Sequence, residues 1–220
     1  MTINGTPHKG TLKQRIFAII SARRPKKADP VLDARKRALL SHLQGTVLEI
    51  GPGSGPNLPY YPTGICWIGV EPNPYMYPYL RQAIQRLRLS AQNFYITPGD
   101  AQSGRLPADD ASVDAVVGTL VLCSVPHPEV TMQEILRVLK PGGRYVFIEH
   151  VAAAPGSRLR ALQNFVQPVW TWLAEGCHPN RETWETIALA GFQEVQIEHY
   201  RYPGLGPVEP QIAGQAIKGG

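Results

Sequence analysis

The sequence predicts one α/β domain built on a mostly parallel β-sheet. Short apolar segments alternate with longer amphipathic segments through most of the chain, which is the pattern of βαβ units. Such units need right-handed crossovers, so their strands run parallel. A length of 220 residues with 43% hydrophobic content is enough to bury one core, and a single domain is therefore expected.

Strands are predicted where short β-branched and apolar runs end in turn residues. They cover the segments 46–50, 66–71, 93–97, 113–118, 144–150, 192–199 and 211–217. Helical periodicity predicts helices over 75–89, 129–139 and 181–190. The Pro-Gly-Gly sequence at 141–143 is expected to stop the second of these helices.

The segment after the fifth strand, from about 155 to 180, is predicted to be an inserted helical cap. It carries a dense set of apolar residues: Leu159, Leu162, Phe165, Val166, Val169, Trp170, Trp172 and Leu173. This density suits an apolar lid over a ligand, and it also suits a structural helix that docks on the sheet.

Residues 1–45 are predicted to be a basic helical extension ahead of the main domain, which spans 46–220. Ten of the lysines and arginines precede the first strand, and the net charge of the chain is +5. One interpretation is an arm that binds nucleic acid or anionic lipid, with a short apolar face formed by Ile16, Phe17, Ile19 and Ile20. The favoured interpretation is a solvated extension that closes over the domain, because no base-stacking aromatics alternate with the basic residues. No nucleic-acid partner is expected, and weak peripheral membrane contact stays an alternative.

Targeting signals and cysteine chemistry narrow the protein class. The longest apolar run near the N-terminus, 16–20, is far short of the roughly 20 residues of a membrane span, and no secretory signal is recognisable. A cytoplasmic location is therefore predicted. The three cysteines are scattered without metal-ligand spacing, which predicts reduced thiols, no disulfide framework and no metal site.

The stretch "VLEIGPGSGPNLPYY" at 47–61 combines a predicted strand with a glycine loop. A phosphate-binding P-loop is excluded, because no lysine occurs between Lys36 and Lys140. A dinucleotide fingerprint would need glycine at position 56, where the chain has Pro56. The loop formed by Gly51, Gly53 and Gly55 instead offers an open backbone to a bulky ligand, beside Glu49 as a partner for a ligand amine or as a simple turn cap.

Two further carboxylates predict that this ligand is a nucleoside. Glu71 ends the second strand, where an acidic residue can accept hydrogen bonds from both ribose hydroxyls. Asp100, in "PGDAQ" after the third strand, is placed to meet an adenine amino group or to form an ordinary turn. No phosphate-neutralising cation accompanies them. S-adenosylmethionine fits this combination as the cofactor.

Four motifs now carry a family resemblance. "VLEIGPGSG", "GVEPNP", "GDAQSGRLPADDASVDAVV" and "EILRVLKPGGRYVFIEHV" resemble, in order and spacing, the class I S-adenosylmethionine-dependent methyltransferases over about 46–217. The resemblance implies a Rossmann-like fold with a seven-stranded sheet and helices on both faces. It also implies a set of cofactor contacts: Glu49, Gly51, Gly53, Gly55, Glu71, Pro72, Asp100, Ala101 and Thr119.

A closer resemblance suggests the methyl acceptor. "DAVVGTLVLCSV", "FIEHV" and "GCHPNRETWE" look like the methyltransferase-like-seven group of thiol S-methyltransferases. This likeness implies a small, largely apolar thiol acceptor, with His150 as an assisting base or orienting group. The residues assigned to acceptor binding are Leu120, Cys123, His150, Trp170 and His178. A buried structural role for Cys123 and a turn role for His178 stay open.

Other functions remain as alternatives to thiol methylation. They are O-, N- or C-methylation of a small metabolite, an RNA-directed methyltransferase and an inactive nucleoside-binding module. "EPNPYMYPY" contains an Asn-Pro-Tyr similar to the box of amino-group methyltransferases, but it follows the second strand and not the fourth. The apolar "TLVLCSV" after the fourth strand offers no polar array to align a base amine, so nucleic-acid modification is the less favoured alternative.

Overall fold

The computed structural model describes residues 10–23, 30–87, 94–97 and 104–220. The helices are α1 (Leu12–Arg23), α2 (Pro30–Leu40), α3 (Tyr77–Arg86), α4 (Pro128–Val138), α5 (Arg158–Leu173) and α6 (Thr183–Leu189). The strands are β1 (Thr46–Ile50), β2 (Cys66–Val70), β3 (Phe94–Thr97), β4 (Val113–Thr119), β5 (Leu139–His150), β6 (Glu194–Arg201) and β7 (Pro210–Ile217). Within these residues, no helix combines the length and apolar character that crossing a membrane requires.

The strands form one mixed sheet in the order β3-β2-β1-β4-β5-β7-β6. The pairs from β3 to β5 are parallel, while β7 pairs antiparallel with both β5 and β6. The order in which successive strands are added to the sheet reverses between β1 and β4, so the chain leaves these two parallel strands toward opposite sides of the sheet. Such a switch point is where open α/β sheets bind their ligands. The predicted Rossmann-like α/β class is confirmed.

Successive side chains along each strand point to opposite faces of the sheet, so they pack into two hydrophobic cores. Leu48 and Val116 lie in the core that α4 covers through Met132 and Ile135. Val47 points to the opposite face, where the core includes residues from α2 and α3, among them Leu40, Leu80 and Ile84. Helices therefore cover both faces of the sheet, and the ends of the strands stay available for ligand contacts.

The fifth strand differs from its prediction. It begins at Leu139 and not at 144, because Leu139 already pairs with Val113 before a register shift at the glycine pair. Gly142 adopts a φ of 73°, a left-handed conformation that glycine takes without strain. The helix ends at Val138, ahead of the Pro-Gly-Gly sequence, and the pairing of β5 with β4 resumes beyond the bulge. The second strand ends at Val70, which leaves Glu71 in the loop after it.

The two N-terminal helices pack against the domain at different points. Tyr75 Oη donates to the Gly10 carbonyl at 3.1 Å, and Asn73 Nδ2 donates to the Gln14 carbonyl at 3.0 Å, so α1 lies across the loop after β2. Arg35 of α2 forms an ion pair with Glu198 of β6 at 2.6 Å. The basic extension is thus helical over 12–23 and 30–40, and its first helix lies beside the predicted cofactor site.

Candidate cofactor and acceptor site

The glycine loop after β1 requires glycine at each of its three positions. Gly51, Gly53 and Gly55 have φ values of 61°, 56° and 80°, in the left-handed region that other residues rarely adopt. A Cβ on Gly55 would lie 2.6 Å from Leu58 Cδ1, whereas a Cβ on Gly53 would meet nothing within 4 Å. Gly55 therefore serves close packing, and Gly53 leaves space where a ligand can approach the backbone.

Glu71 reaches back to this loop from the end of β2. Its two carboxylate oxygens accept hydrogen bonds from the amides of Gly53 and Asn73, each at 2.8 Å. Burial raises the pKa of Glu71 to about 7. The exposed Pro72 follows directly. This geometry places a carboxylate beside the open position at Gly53, where a ribose diol is predicted to bind.

Glu49 is buried under the loop and organises it. One of its oxygens accepts from Asn57 Nδ2 at 2.8 Å, and the other accepts from Tyr61 Oη and Trp67 Nε1, both at 2.9 Å. Trp67 reaches this position because its indole crosses the backbone of Gly69, where a Cβ would lie 2.2 Å from the ring. Burial raises the pKa of Glu49. Its contact with a ligand amine stays a prediction, and the structure adds the role of holding residues 57–61.

Asn57 is a site residue that the sequence reasoning missed. Its Nδ2 also donates to Thr119 Oγ1 at 3.0 Å, which joins the loop after β1 to the end of β4 across the switch point. Its Oδ1 is buried, and in the described part of the chain it has no hydrogen-bond partner. A free, buried acceptor here suits a ligand donor such as an ammonium group. The predicted Asp100 and Ala101 lie outside the described residues.

The turn after β4 carries the first residues that were predicted to bind the methyl acceptor. Leu120 has a φ of 58° and a half-exposed side chain, while its amide donates to the Ile148 carbonyl at 2.8 Å. Glu149 holds the next two residues, because its Oε1 accepts from the amides of Val121 and Leu122 at 2.8 and 3.0 Å. Burial raises the pKa of Glu149 to about 7. The sequence motif directed attention to His150, but its neighbour Glu149 shapes this turn.

His150 meets two cysteines at the end of β5. Its Nε2 lies 3.0 Å from Cys177 Sγ, and Trp170 Nε1 donates to the same sulfur at 3.2 Å. Cys123 Sγ belongs to the same buried group, in which the ligand atoms all lie within 4.8 Å of one another. Hydrogen bonds with the Cys123 thiol and with His150 lower the pKa of Cys177. The hydrogen bond between the two cysteines raises the pKa of Cys123. Cys177 was missed because it is 27 residues from His150 along the chain.

The segment "GCHPNR" at 176–181 is hydrogen-bonded to the turn after β4. The His178 amide donates to the Cys123 carbonyl at 2.8 Å, and Arg181 Nη1 donates to the Val125 carbonyl at 2.7 Å. His178 Nδ1 faces Arg181 Nη2 at 3.3 Å. His178 therefore supports the loop through its backbone, and contact of its ring with an acceptor stays a prediction.

The predicted site residues fall into two adjoining groups. The glycine loop, Glu71 and Thr119 gather at the ends of β1, β2 and β4. Cys123, His150 and Trp170 gather at the ends of β4 and β5. The first group offers carboxylate, amide and hydroxyl partners to a polar ligand, the second brings two thiols to an imidazole, and the turn at 119–122 lies between them.

Comparison with known proteins identifies the class. Residues 48–147 match the family described as a methyltransferase domain. The chain is 38% identical over 213 residues to thiol S-methyltransferase TMT1B of Rattus norvegicus, covering 92% of this chain and 84% of the relative. It is 36% identical over 195 residues to thiol S-methyltransferase TMT1A of Homo sapiens, covering 84% and 79%.

Solved structures support the fold. A methyltransferase from Aquifex aeolicus, described as S-adenosylmethionine-dependent, has a TM-score of 0.60 at 16% identity, covering 92% of this chain and 97% of that one. The [4+2]-cyclase SpnF has a TM-score of 0.69 at 17% identity, covering 98% and 99%. The chain belongs to the class I S-adenosylmethionine-dependent methyltransferases and is an enzyme of that class. Within the class it falls in the group of the TMT1A and TMT1B thiol S-methyltransferases, which confirms both resemblances.

Proposed function

We propose that this enzyme transfers the methyl group of S-adenosylmethionine to the sulfur of a small, largely apolar thiol. The observation that carries the proposal is the juxtaposition of two features at the switch point of the sheet. Glu71 lies beside the open backbone at Gly53, and Asn57 joins this glycine loop to Thr119, where the apolar turn at 119–122 begins. The thiol S-methyltransferase relatives support sulfur as the acceptor atom.

The residues around the glycine loop fit this cofactor. Glu71 would accept hydrogen bonds from the ribose hydroxyls. The Oδ1 of Asn57, which has no partner among the residues that the structure describes, would accept from the ligand's ammonium group. Thr119 would lie beside the methionine portion, while Asp100 and Ala101 would contact the adenine. When bound, S-adenosylmethionine supplies an electrophilic methyl group on a sulfonium centre.

The chain's own task is then to position the acceptor and exclude water. A free thiol with a pKa near 8.5 is already a few per cent thiolate at neutral pH, so little general-base help is needed. His150 would orient the acceptor or take its proton, although its Nε2 already faces Cys177. Leu120 presents an exposed apolar side chain at the same end of the sheet.

Helix α5 is proposed to be a lid over the acceptor. Its first half is anchored, because the buried Gln163 accepts from the Ala153 amide at 2.7 Å and donates to the Val151 carbonyl at 3.1 Å. The remainder of the helix, from Phe165 onward, exposes Phe165, Val169, Trp172 and Leu173. Beyond it, Glu175 Oε1 accepts from Asn73 Nδ2 at 3.4 Å, beside the cofactor loop. Such a segment can close on a bound acceptor and open to release product.

We also propose weak contact between this face and an anionic membrane surface. Lys13 of α1 lies over the ring of Trp172 at 5.9 Å, so the two helices are neighbours. The exposed apolar residues of α1 are Leu12, Ile16 and Ile20. Flotation with vesicles should show more binding to anionic than to neutral lipid, and less at high salt. Equal recovery with both lipids would contradict the proposal. A cytoplasmic location and the lack of a nucleic-acid partner stay predictions.

A methyl-transfer assay tests the main proposal. The enzyme would be given labelled S-adenosylmethionine with panels of small thiols, amines and phenols, and label in each product would be measured. We expect turnover of apolar thiols above all others. Turnover of amines or phenols with none for any thiol would instead support methylation of another atom. Cofactor binding by calorimetry without any transfer would favour a nucleoside-binding module.

A further inference from the structure

A cluster of three metal-ligand side chains lies at the acceptor end of the site. Cys123, His150 and Cys177 each offer one ligand atom, these atoms lie within 4.8 Å of one another, and all three residues are buried. Cys123 belongs to the turn after β4, His150 ends β5, and Cys177 lies in the loop between α5 and α6. Three separate segments thus bring two sulfurs and an imidazole to one point. We call these residues the Cys2His cluster.

The spacing of the Cys2His cluster suits a tetrahedral ion. Zinc lies about 2.3 Å from cysteine sulfur and about 2.0–2.1 Å from histidine nitrogen, which places ligand atoms about 3.6–3.8 Å apart in a tetrahedron. The measured separation of 3.0 Å between His150 Nε2 and Cys177 Sγ has to widen by about half an ångström. The other two separations are at most 4.8 Å and have to shorten by about 1.2 Å at most.

Hydrogen bonds between the segments that carry the ligands hold these segments together. The His178 amide donates to the Cys123 carbonyl at 2.8 Å, and the Ala152 amide donates to the Arg181 carbonyl at 3.0 Å. Trp170 Nε1 donates to Cys177 Sγ at 3.2 Å, as the outer partners of metal-bound thiolates do. The cluster is therefore supported from both sides of the loop at 177–181.

We propose that Cys123, His150 and Cys177 bind a Zn²⁺ ion, and that its fourth position takes the sulfur of the methyl acceptor. Thiolate and imidazole ligands select zinc, and three protein ligands with one open position are the arrangement of catalytic zinc sites. A divalent ion also compensates the charge of two thiolates in a buried setting. Metal binding by these three residues does not depend on the proposed function. The role of the fourth position rests on the proposed thiol methylation.

The metal ion would convert the acceptor thiol into a nucleophilic thiolate. Coordination of the acceptor R–SH releases its proton to solvent and leaves R–S⁻ on the ion, because a coordinating thiol is deprotonated. The sulfur electron pair then forms the new S–CH3 bond as the bond between that methyl and the sulfonium sulfur breaks. The products are the thioether R–S–CH3, the demethylated cofactor and one proton. The neutral thioether is a weaker ligand than the thiolate, which favours its release.

Metal content tests the binding part of this proposal. The full chain would be purified with reductant and without chelator, and zinc would be measured by mass spectrometry. We expect about one ion per chain. Cys177→Ser should weaken binding on the order of 100-fold or more, because even outer partners change metal affinity about 10–100-fold. Cys66→Ser is the matched control, since Cys66 begins β2 away from the cluster, and it should keep full content.

Cobalt substitution gives a readout that does not depend on any variant folding. Wild-type protein loaded with Co²⁺ should show thiolate-to-cobalt charge-transfer absorption and the intense ligand-field bands of a tetrahedral site. Adding a small thiol without S-adenosylmethionine should shift those bands, and adding an alcohol of the same shape should not. This measurement separates the metal site from the methylation proposal, because no methyl transfer is involved.

Several results would overturn the inference. Wild-type protein without bound metal after growth and loading with zinc would exclude the site, as would equal zinc in Cys177→Ser and wild type. Loss of two hydrogens by intact mass without reductant, mapped to Cys123 and Cys177 by peptide digestion, together with no metal uptake after reduction, would identify these two cysteines as a disulfide pair instead. A cobalt spectrum that no thiol changes would exclude the acceptor role.

Discussion

Replacing Glu71 with Ala should weaken the binding of S-adenosylmethionine and of its demethylated product. In the structure this carboxylate accepts from the amides of Gly53 and Asn73 and lies beside the open face of the glycine loop. The substitution removes the charged acceptor predicted for two ribose hydroxyls and leaves both amides without their partner. The fold of the strands should persist, because Glu71 lies just beyond the end of β2.

The expected loss follows from the number of hydrogen bonds. A bond to a charged acceptor contributes about 1.5–3 kcal/mol, so two bonds amount to about 3–6 kcal/mol. At about 1.4 kcal/mol per factor of ten, the dissociation constant should rise by about two to four orders of magnitude. Glu71→Gln keeps the shape but not the charge, and it should fall between wild type and Glu71→Ala.

Binding should also depend on pH through the same group. Burial raises the pKa of Glu71 to about 7, and only the ionised form accepts from both hydroxyls. Affinity for the cofactor should therefore rise with pH, by about tenfold from pH 6 to pH 8 for a group of this pKa. In Glu71→Gln this dependence should be lost, because the amide does not titrate.

Calorimetric titration of the cofactor at pH 6, 7 and 8 measures both effects. Glu194→Gln is the control, since this exposed carboxylate lies on β6 at the far edge of the sheet. Thermal unfolding of each variant checks that the domain is intact. Unchanged affinity in Glu71→Ala, with an intact fold, would refute the assignment of the nucleoside site.

Three further predictions concern the acceptor side. The free energy of unfolding should fall as pH rises from about 4.5 to about 7, because the folded protein keeps Glu149 protonated where the unfolded chain has released the proton. In Glu149→Gln this slope in denaturant titrations should be shallower, and equal slopes would contradict the burial argument. His150→Ala removes the proposed assisting base and one of the three proposed zinc ligands, so zinc content and the rate of thiol methylation should both fall, while a residual rate that rises toward the acceptor's own pKa should stay measurable. An unchanged rate of methylation would contradict both roles of His150. Hydrogen exchange in α5 should slow when cofactor and acceptor bind together, and equal protection with and without them would remove the lid proposal.

Local sequence patterns determined the fold class and the cofactor loop. Alternation of apolar residues is a property of neighbouring positions, so it located the strands and α4 within a few residues without any knowledge of their partners. The spacing of Gly51, Gly53 and Gly55 and the place of Glu71 after a strand are equally local. The start of β5 could not be predicted in this way, because its first residues pair with β4 across a bulge that only the sheet register defines.

Only the tertiary structure decided which side chains meet in the acceptor region. Glu149 and His150 are neighbours in sequence, yet parallel packing of β5 on β4 directs Glu149 to the turn at 121–122 and His150 to Cys177. Asn57 joins the site because β1 and β4 are neighbouring strands, so the loop after β1 reaches Thr119 although the two residues are 62 positions apart. Cys123 and His150 meet because the ends of the neighbouring parallel strands β4 and β5 lie side by side, and Cys177 reaches them because the His178 amide donates to the Cys123 carbonyl. Spacing along one segment does not encode either relation.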